Sequence, residues 1–409
     1  MTERVDVREW VEFQWPYLLA FLGGEARVSA LARETKAFER ARKIESPDVL
    51  LRLILMWAVA ERSVMETAAI AAEMGLADVS DVALVKRFAK AGDWLCALLS
   101  DLLVNVRSTF TPGLRLRIVD ATSITRGGKT GTDHRLHVGI DLGSNRIDAI
   151  ELTDVKGAET LERFAVRSGE ILIADRGYAK RRGMEHVVRQ GGLFVVRLAW
   201  GSVPLQTVDG QPFALFDALR SLPEARAGEF PVRFLAPDGT AINARLVAIR
   251  KSEPAAGQAR QTALRQRSKK GNASVDLRTL EAAGYLFVLT NLPTQISPEG
   301  VLDLYRLRWQ IEMKFKTLKS VLHLDNVSAR SDEGLRVYVF AKLLVALLID
   351  ALFYDAESIS PWGYPLAPAE PLAGDEAPAR CDRNDDQALR AADHRSSDPT
   401  GAMAPSHHS

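Results

Sequence analysis

Between residues 114 and 198 strand-like and helix-like runs follow one another in an order that limits the fold more than any other feature of the chain. LRLRIVD, RLHVGIDL and RIDAIELTD alternate or turn apolar as strands do, and the turn Gly143-Ser144-Asn145 joins the last two. EILIAD (170–175) and LFVVRL (193–198) read as buried strands. A short helix around ETLERF precedes the first of these, and the basic helix AKRRGMEHVVRQ separates them. The order β-β-β-α-β-α-β predicts an α/β fold, a mixed sheet with helices on its faces.

The flanks differ in kind. Residues 1–110 carry apolar residues at three- and four-residue spacing and predict a helical domain. Within it, 64–92 has the outline of a helix-turn-helix. An Ala-rich helix stops at Gly75, and Asp78 or Ser80 can cap a second helix bearing Lys86, Arg87 and Lys90. An ordinary helical bundle has the same outline. Residues 201–290 read as a β-rich insertion containing a basic, polar loop, GQARQTALRQRSKKGNAS. Segments 111–200 and 291–355 flank that insertion and make one domain. From 356 to 409 the chain is rich in Pro, Ala and Asp and predicts disorder or an aberrant tail.

Composition excludes some classes. Two cysteines cannot build a disulfide framework and fit a reducing cytoplasm. The start, MTERVDVREW, is too charged for a secretory signal. The greasiest run, AKLLVALLIDALF, is shorter than the roughly 20 apolar residues that span a bilayer. A soluble protein with no membrane partner is expected. The net charge of +1 hides an asymmetry: residues 1–350 carry 49 basic and 42 acidic side chains, a balance compatible with nucleic acid.

Asp120 and Asp175 each end a buried strand-like run, a costly place for a carboxylate without a cation or backbone donors beside it. Either alone reads equally as a turn or capping residue. The third acid is Glu312 in YRLRWQIEMKFKTLKS, where Arg306, Arg308, Lys314, Lys316 and Lys319 surround it. At about 100° per residue, Tyr305, Arg308, Glu312 and Lys319 fall within an arc of about 60°, beside an apolar stripe of Ile311, Phe315, Leu318 and Leu322. A surface pair of Glu312 with Lys316 explains the glutamate but not its other neighbours. RGGKT (126–130) lacks the earlier glycine of a phosphate loop, since Ser123 stands there. His134, His137, Asp141 and Asp148 rank below the chosen acids, and Trp309 reads as a packing residue.

Together, a first Asp in VDATSI, a second in ADRGYA, an intervening insertion and Y-x2-R-x3-E-x6-K resemble the DDE transposases of bacterial insertion elements, in the insertion-sequence-4 family. The resemblance covers roughly residues 30–355. It implies a ribonuclease-H-like core in which Asp120, Asp175 and Glu312 are catalytic and hold two Mg²⁺ ions, with Mn²⁺ able to substitute. Asp120 would serve both ions, and the other two acids one each. Hard oxygen donors suit such cations. It implies double-stranded DNA as partner, at element terminal repeats and at target sites. Tyr305, Arg308 and Lys319 would contact that DNA, joined by Arg176, Lys86 and Arg87, with residues 1–110 binding the element end. A homodimer assembled on DNA and a bacterial, nucleoid-associated location are further implications. The reaction expected is metal-dependent end cleavage and strand transfer. A non-catalytic DNA-binding remnant or inhibitor and a general metal-dependent nuclease are the alternatives.

Overall fold

The computed structural model describes residues 15–108, 115–126, 134–223, 226–269, 275–323, 327–329 and 331–358. The described residues divide into two compact units, one drawing on those before 160 and after 309, the other on those from 160 to 309.

The first unit begins with helices α1 (Trp15–Phe21), α2 (Gly24–Glu34), α3 (Pro47–Ala58), α4 (Val64–Glu73), α5 (Asp81–Ala89) and α6 (Gly92–Ser108). Local chemistry sets their ends. Ser46 accepts the Val49 N–H ahead of α3, whose first residue is Pro47. Ser63 and Glu66 close a reciprocal capping box on α4. That helix stops before Gly75, whose φ of 68° a β-carbon disfavours. Ser80 then caps α5 by accepting the Ala83 N–H at 3.3 Å. The expected cap residue is therefore Ser80.

Strands β1 (Leu116–Ile124), β2 (His134–Asp141) and β3 (Arg146–Asp154) form an antiparallel meander, with Asp120 opposite Val138. The first unit also includes two later helices. The longer of these, Asp332–Ser358, packs against α3, α5, α6 and β3. At its centre Trp57 stacks on Phe88 and meets the Tyr338 ring edge-on, both at 5.1 Å.

In the second unit, β4 (Ile171–Ala174) precedes α7 (Arg181–Arg189) and β5 (Leu193–Arg197), and β4 and β5 run parallel. After β6 (Leu205–Gln206) come α8 (Leu215–Arg220), β7 (Gly228–Leu235), β8 (Ala241–Arg250), α9 (Glu253–Lys269), α10 (Leu277–Ala282) and β9 (Tyr285–Thr290). β9 returns between β5 and β8, antiparallel to both, giving the order β4-β5-β9-β8-β7-β6. Helix α11 (Pro298–Arg306) lies on β4, β5, β8 and β9, and α7 on β5. The expected mixed α/β architecture is present. Two helices follow in sequence, α12 (Trp309–Leu322) and α13 (Asp332–Ser358), the latter being the long helix described above.

Several local expectations are corrected. β1 does not stop at Asp120, because Ala121–Ile124 continue to pair with His134–His137. ETLERF forms a single tight turn of helix over Leu161–Arg163 rather than an α-helix. GSVPLQTV contributes only the two residues of β6. Much of the basic loop is the helix α9, where Pro254 occupies the first turn and Ala255 and Ala256 are buried. Residues 127–130 of RGGKT and the tail beyond Ser358 lie outside the described residues. Among the described residues no helix is long and apolar enough to cross a membrane.

Candidate active site

Parallel pairing of β4 with β5 sets Ala174 opposite Val196, so the next residue of each strand, Asp175 and Arg197, stand at the same level. Asp175 follows β4 directly, as expected for a strand-end acid. Its side chain makes no capping bond to the turn over Arg176–Tyr178. It meets cations instead: an Arg197 guanidinium nitrogen lies 3.6 Å from Asp175 Oδ1.

Helix α11 brings a second approach. Ser297 accepts the Gly300 N–H at 3.1 Å, and Val301, Leu302 and Tyr305 form its buried face. Tyr305 is only 4% exposed, yet its hydroxyl donates to Asp175 Oδ1 at 3.1 Å. Arg308 Nε in turn donates to the Tyr305 hydroxyl at 3.2 Å. A relay therefore runs from Arg308 through Tyr305 to Asp175. Burial pushes the Asp175 carboxyl upward. Arg197 and Arg308, then the N–H and charge of Arg176, outweigh it and hold the group below the usual carboxylate range. Arg176 itself is exposed.

Asp120, Glu312 and Lys319 belong to the first unit. Asp120 is half-buried in mid-strand and Oδ1 accepts the Ala121 N–H at 2.8 Å. Glu312 is exposed in the first turn of α12, and Lys319 is half-buried near its end. The apolar stripe is present, with Ile311, Phe315 and Leu318 buried. The single helix expected from Tyr305 to Lys319 is not. α11 ends at Arg306, and the N–H groups of Leu307 and Arg308 bond three residues back, to Leu304 and Tyr305, closing the helix before α12 begins. The 60° arc of one continuous helix therefore does not describe the four signature residues. Trp309 is 46% exposed, so the packing role expected of it does not hold.

Among the basic residues around Glu312, Lys314 is spent on Asp350, with Nζ at 3.1 Å from both oxygens. In the helix-turn-helix outline, Lys86 is exposed, whereas Arg87 donates to the Arg40 carbonyl at 3.1 Å and lies over the Phe38 ring. The acids ranked lower have structural partners. Asp148 is buried against Arg117 at 2.6 Å, and Asp141 accepts from the N–H and hydroxyl of Ser144. His137 is buried beside Thr153, 3.1 Å from its hydroxyl.

Sequence reasoning missed Arg197. The signal was present, since LFVVR (193–197) and ILIAD (171–175) both place a charge at the end of an apolar run. Pairing between the two strands, which the sequence does not state, turns those charges into neighbours.

Comparison with known proteins bears on the family of the chain as a whole. Residues 111–348 match the family model described as transposase DDE domain. The transposase for insertion sequence element IS421 of Escherichia coli is 37% identical over 85% of this chain and 96% of that protein. The transposase for IS231E of Bacillus thuringiensis subsp. finitimus is 25% identical over 80% of this chain and 77% of its own length. A piggyBac transposase synaptic complex with hairpin DNA aligns at a TM-score of 0.45 and 10% identity, covering 83% of this chain and 74% of that one. On the extent of the family match and the closeness of the IS421 relative, the chain belongs to the transposase DDE domain family.

Proposed function

We propose that the protein is an insertion-element transposase of the insertion-sequence-4 type, which cleaves element ends and joins them to target DNA. The carrying observation is the relay from Arg308 through Tyr305 to Asp175, with links of 3.2 and 3.1 Å. Three residues selected from sequence, from segments 130 positions apart, meet in it.

In this reading Asp120, Asp175 and Glu312 are the catalytic acids of a ribonuclease-H-like core and hold two Mg²⁺ or Mn²⁺ ions. The donor set fits: each is a carboxylate, none is fully buried, and the cations around Asp175 keep it ionised. When bound, such ions activate a water or 3′-hydroxyl and stabilise the leaving oxygen at phosphorus. Tyr305 fixes Oδ1 of Asp175. Arg308, anchored through Nε on that hydroxyl, brings a guanidinium suited to a backbone phosphate beside Asp175. Lys319 and Arg176 supply further positive charge for the DNA end. Residues 1–110 bind that end through the helix-turn-helix, with Lys86 and Arg87 beside phosphates, and two copies assemble on the paired ends. Residues 201–290 act as an insertion between the two parts of the catalytic core.

The test is incubation of the full chain with Mg²⁺ or Mn²⁺ and two duplexes, one copied from inverted repeats flanking its gene and one of scrambled sequence. Metal-dependent cutting and joining confined to the repeat duplex is expected. Cutting of both duplexes alike would instead mark a general nuclease, and repeat-specific binding without cutting a non-catalytic remnant.

A further inference from the structure

The segment 337–353 is apolar except for two charges, Lys342 and Asp350. Both are used on one neighbour, the helix α12 that carries Glu312. Asp350 receives Lys314 Nζ at 3.1 Å on each oxygen. Lys342, 1% exposed, donates to the His323 carbonyl at 3.2 Å, one residue past the end of α12. The order of the ties is antiparallel. Lys314 and His323 are nine residues apart and Lys342 and Asp350 eight, so the rungs are spaced about 12–14 Å along each axis at 1.5 Å per residue. Lys342 is itself held: Glu61 accepts from it at 2.8 Å, and its ammonium lies 4.7 Å from the centre of the Tyr338 ring. Glu61 occupies a left-handed turn just after α3, at φ 54°.

These ties are costly to place in a core. Charges inside an apolar helix are disfavoured unless paired, and apolar residues at both positions would pack against α12 without them. What hydrophobic packing does not supply is register. A smooth apolar stripe permits α12 to slide or rotate, whereas two polar rungs fix its axial position and its rotation.

We infer that Lys314–Asp350 and Lys342–Glu61 are positioning pairs that set the placement of Glu312 as an acid of the active site. The inference rests on the function proposed above. Lys314 is thus assigned to α13 rather than to DNA, although it lies two residues from Glu312 in a basic run. Lys342 holds the far end of the same helix from within the core.

The experiment measures Mn²⁺ binding by electron paramagnetic resonance to the full chain bound to the flanking-repeat duplex. Five proteins are compared: parent, Glu312→Gln, Lys314→Met, Lys342→Met and the swapped pair Lys314→Asp with Asp350→Lys. Metal-free Tm and duplex affinity are recorded for each. The expected result is Mn²⁺ binding weakened about tenfold in Lys314→Met, the size typical of residues supporting a metal ligand, and recovered in the swap. Duplex affinity should stay within about twofold, since a positioning role leaves the DNA contacts intact. Lys342→Met should weaken Mn²⁺ binding likewise wherever its metal-free Tm remains above the assay temperature. Should Lys342→Met not fold, the half-buried pair Lys314–Asp350 decides the matter alone. If Glu312→Gln weakens Mn²⁺ binding and Lys314→Met does not, the positioning role is overturned while the proposed function stands. If Glu312→Gln binds Mn²⁺ like the parent, Glu312 is not a ligand and both fall. Equal loss of duplex and Mn²⁺ binding in Lys314→Met, unrecovered in the swap, would also overturn the inference, because it marks a purely structural role.

Discussion

Asp175 concentrates the electrostatics of the second unit. Burial alone would raise its pKa, but Arg197 and Arg308 reverse the sign. Its folded value therefore lies below its unfolded one. The stability it contributes is complete above the unfolded value of about 4 and is lost as pH falls through the lowered folded value. Arg197→Met removes the largest favourable charge. It should lower Tm at pH 7 and flatten the acid side of the Tm-against-pH curve below about pH 4, which differential scanning calorimetry reads directly. An unchanged acid limb would remove Arg197 from the account. At this scale the sequence was informative about identities and poor about partners. ADRGYA and the Tyr-Arg-Glu-Lys spacing single out residues, but hydrogen bonds between segments 130 positions apart depend on strand pairing and helix docking. The pairing of Arg197 with Asp175 and the destination of Lys314 were invisible for that reason.

Helix ends were more legible, because caps act within four residues. Gly75, Ser80, Ser297 and Pro298 all serve as their residue types suggest. Gly75→Ala meets no atom within 4 Å, so its cost is conformational alone, about 1 kcal/mol from the left-handed backbone. Gly75→Asn should cost less. Ser63→Ala opens the capping box and should cost about 1 kcal/mol in urea denaturation, with m unchanged. Equal stabilities for parent and variants would contradict both assignments. Misreadings at this scale have a common cause. The stretch 257–274 lacks apolar periodicity and reads as a loop, yet the Gln, Ala, Arg and Leu residues before 270 favour helix wherever tertiary contacts do not decide. The helix break at Leu307–Arg308 has no proline or glycine to announce it. Its two tightened backbone bonds are a tertiary outcome.

For the whole molecule, the α/β class followed from element order alone, while the path of β9 back between β5 and β8 did not, since long-range pairing has no local sequence signal. DNA affinity should fall steeply with salt, because phosphate contacts release counterions. Lys86→Ala should reduce the slope of log K against log[salt] by about one, with little change in Tm. Arg87, already bonded to Arg40, should show the larger loss of Tm when replaced by alanine. The proposed chemistry requires the three acids to act as one set. The most direct measurement compares metal-dependent cleavage of the flanking-repeat duplex by the parent, Asp120→Asn, Asp175→Asn and Glu312→Gln, each shown first to bind that duplex. Cleavage by the parent and its loss in all three variants is the predicted result. Cleavage retained by any one of them, with binding intact, would contradict it.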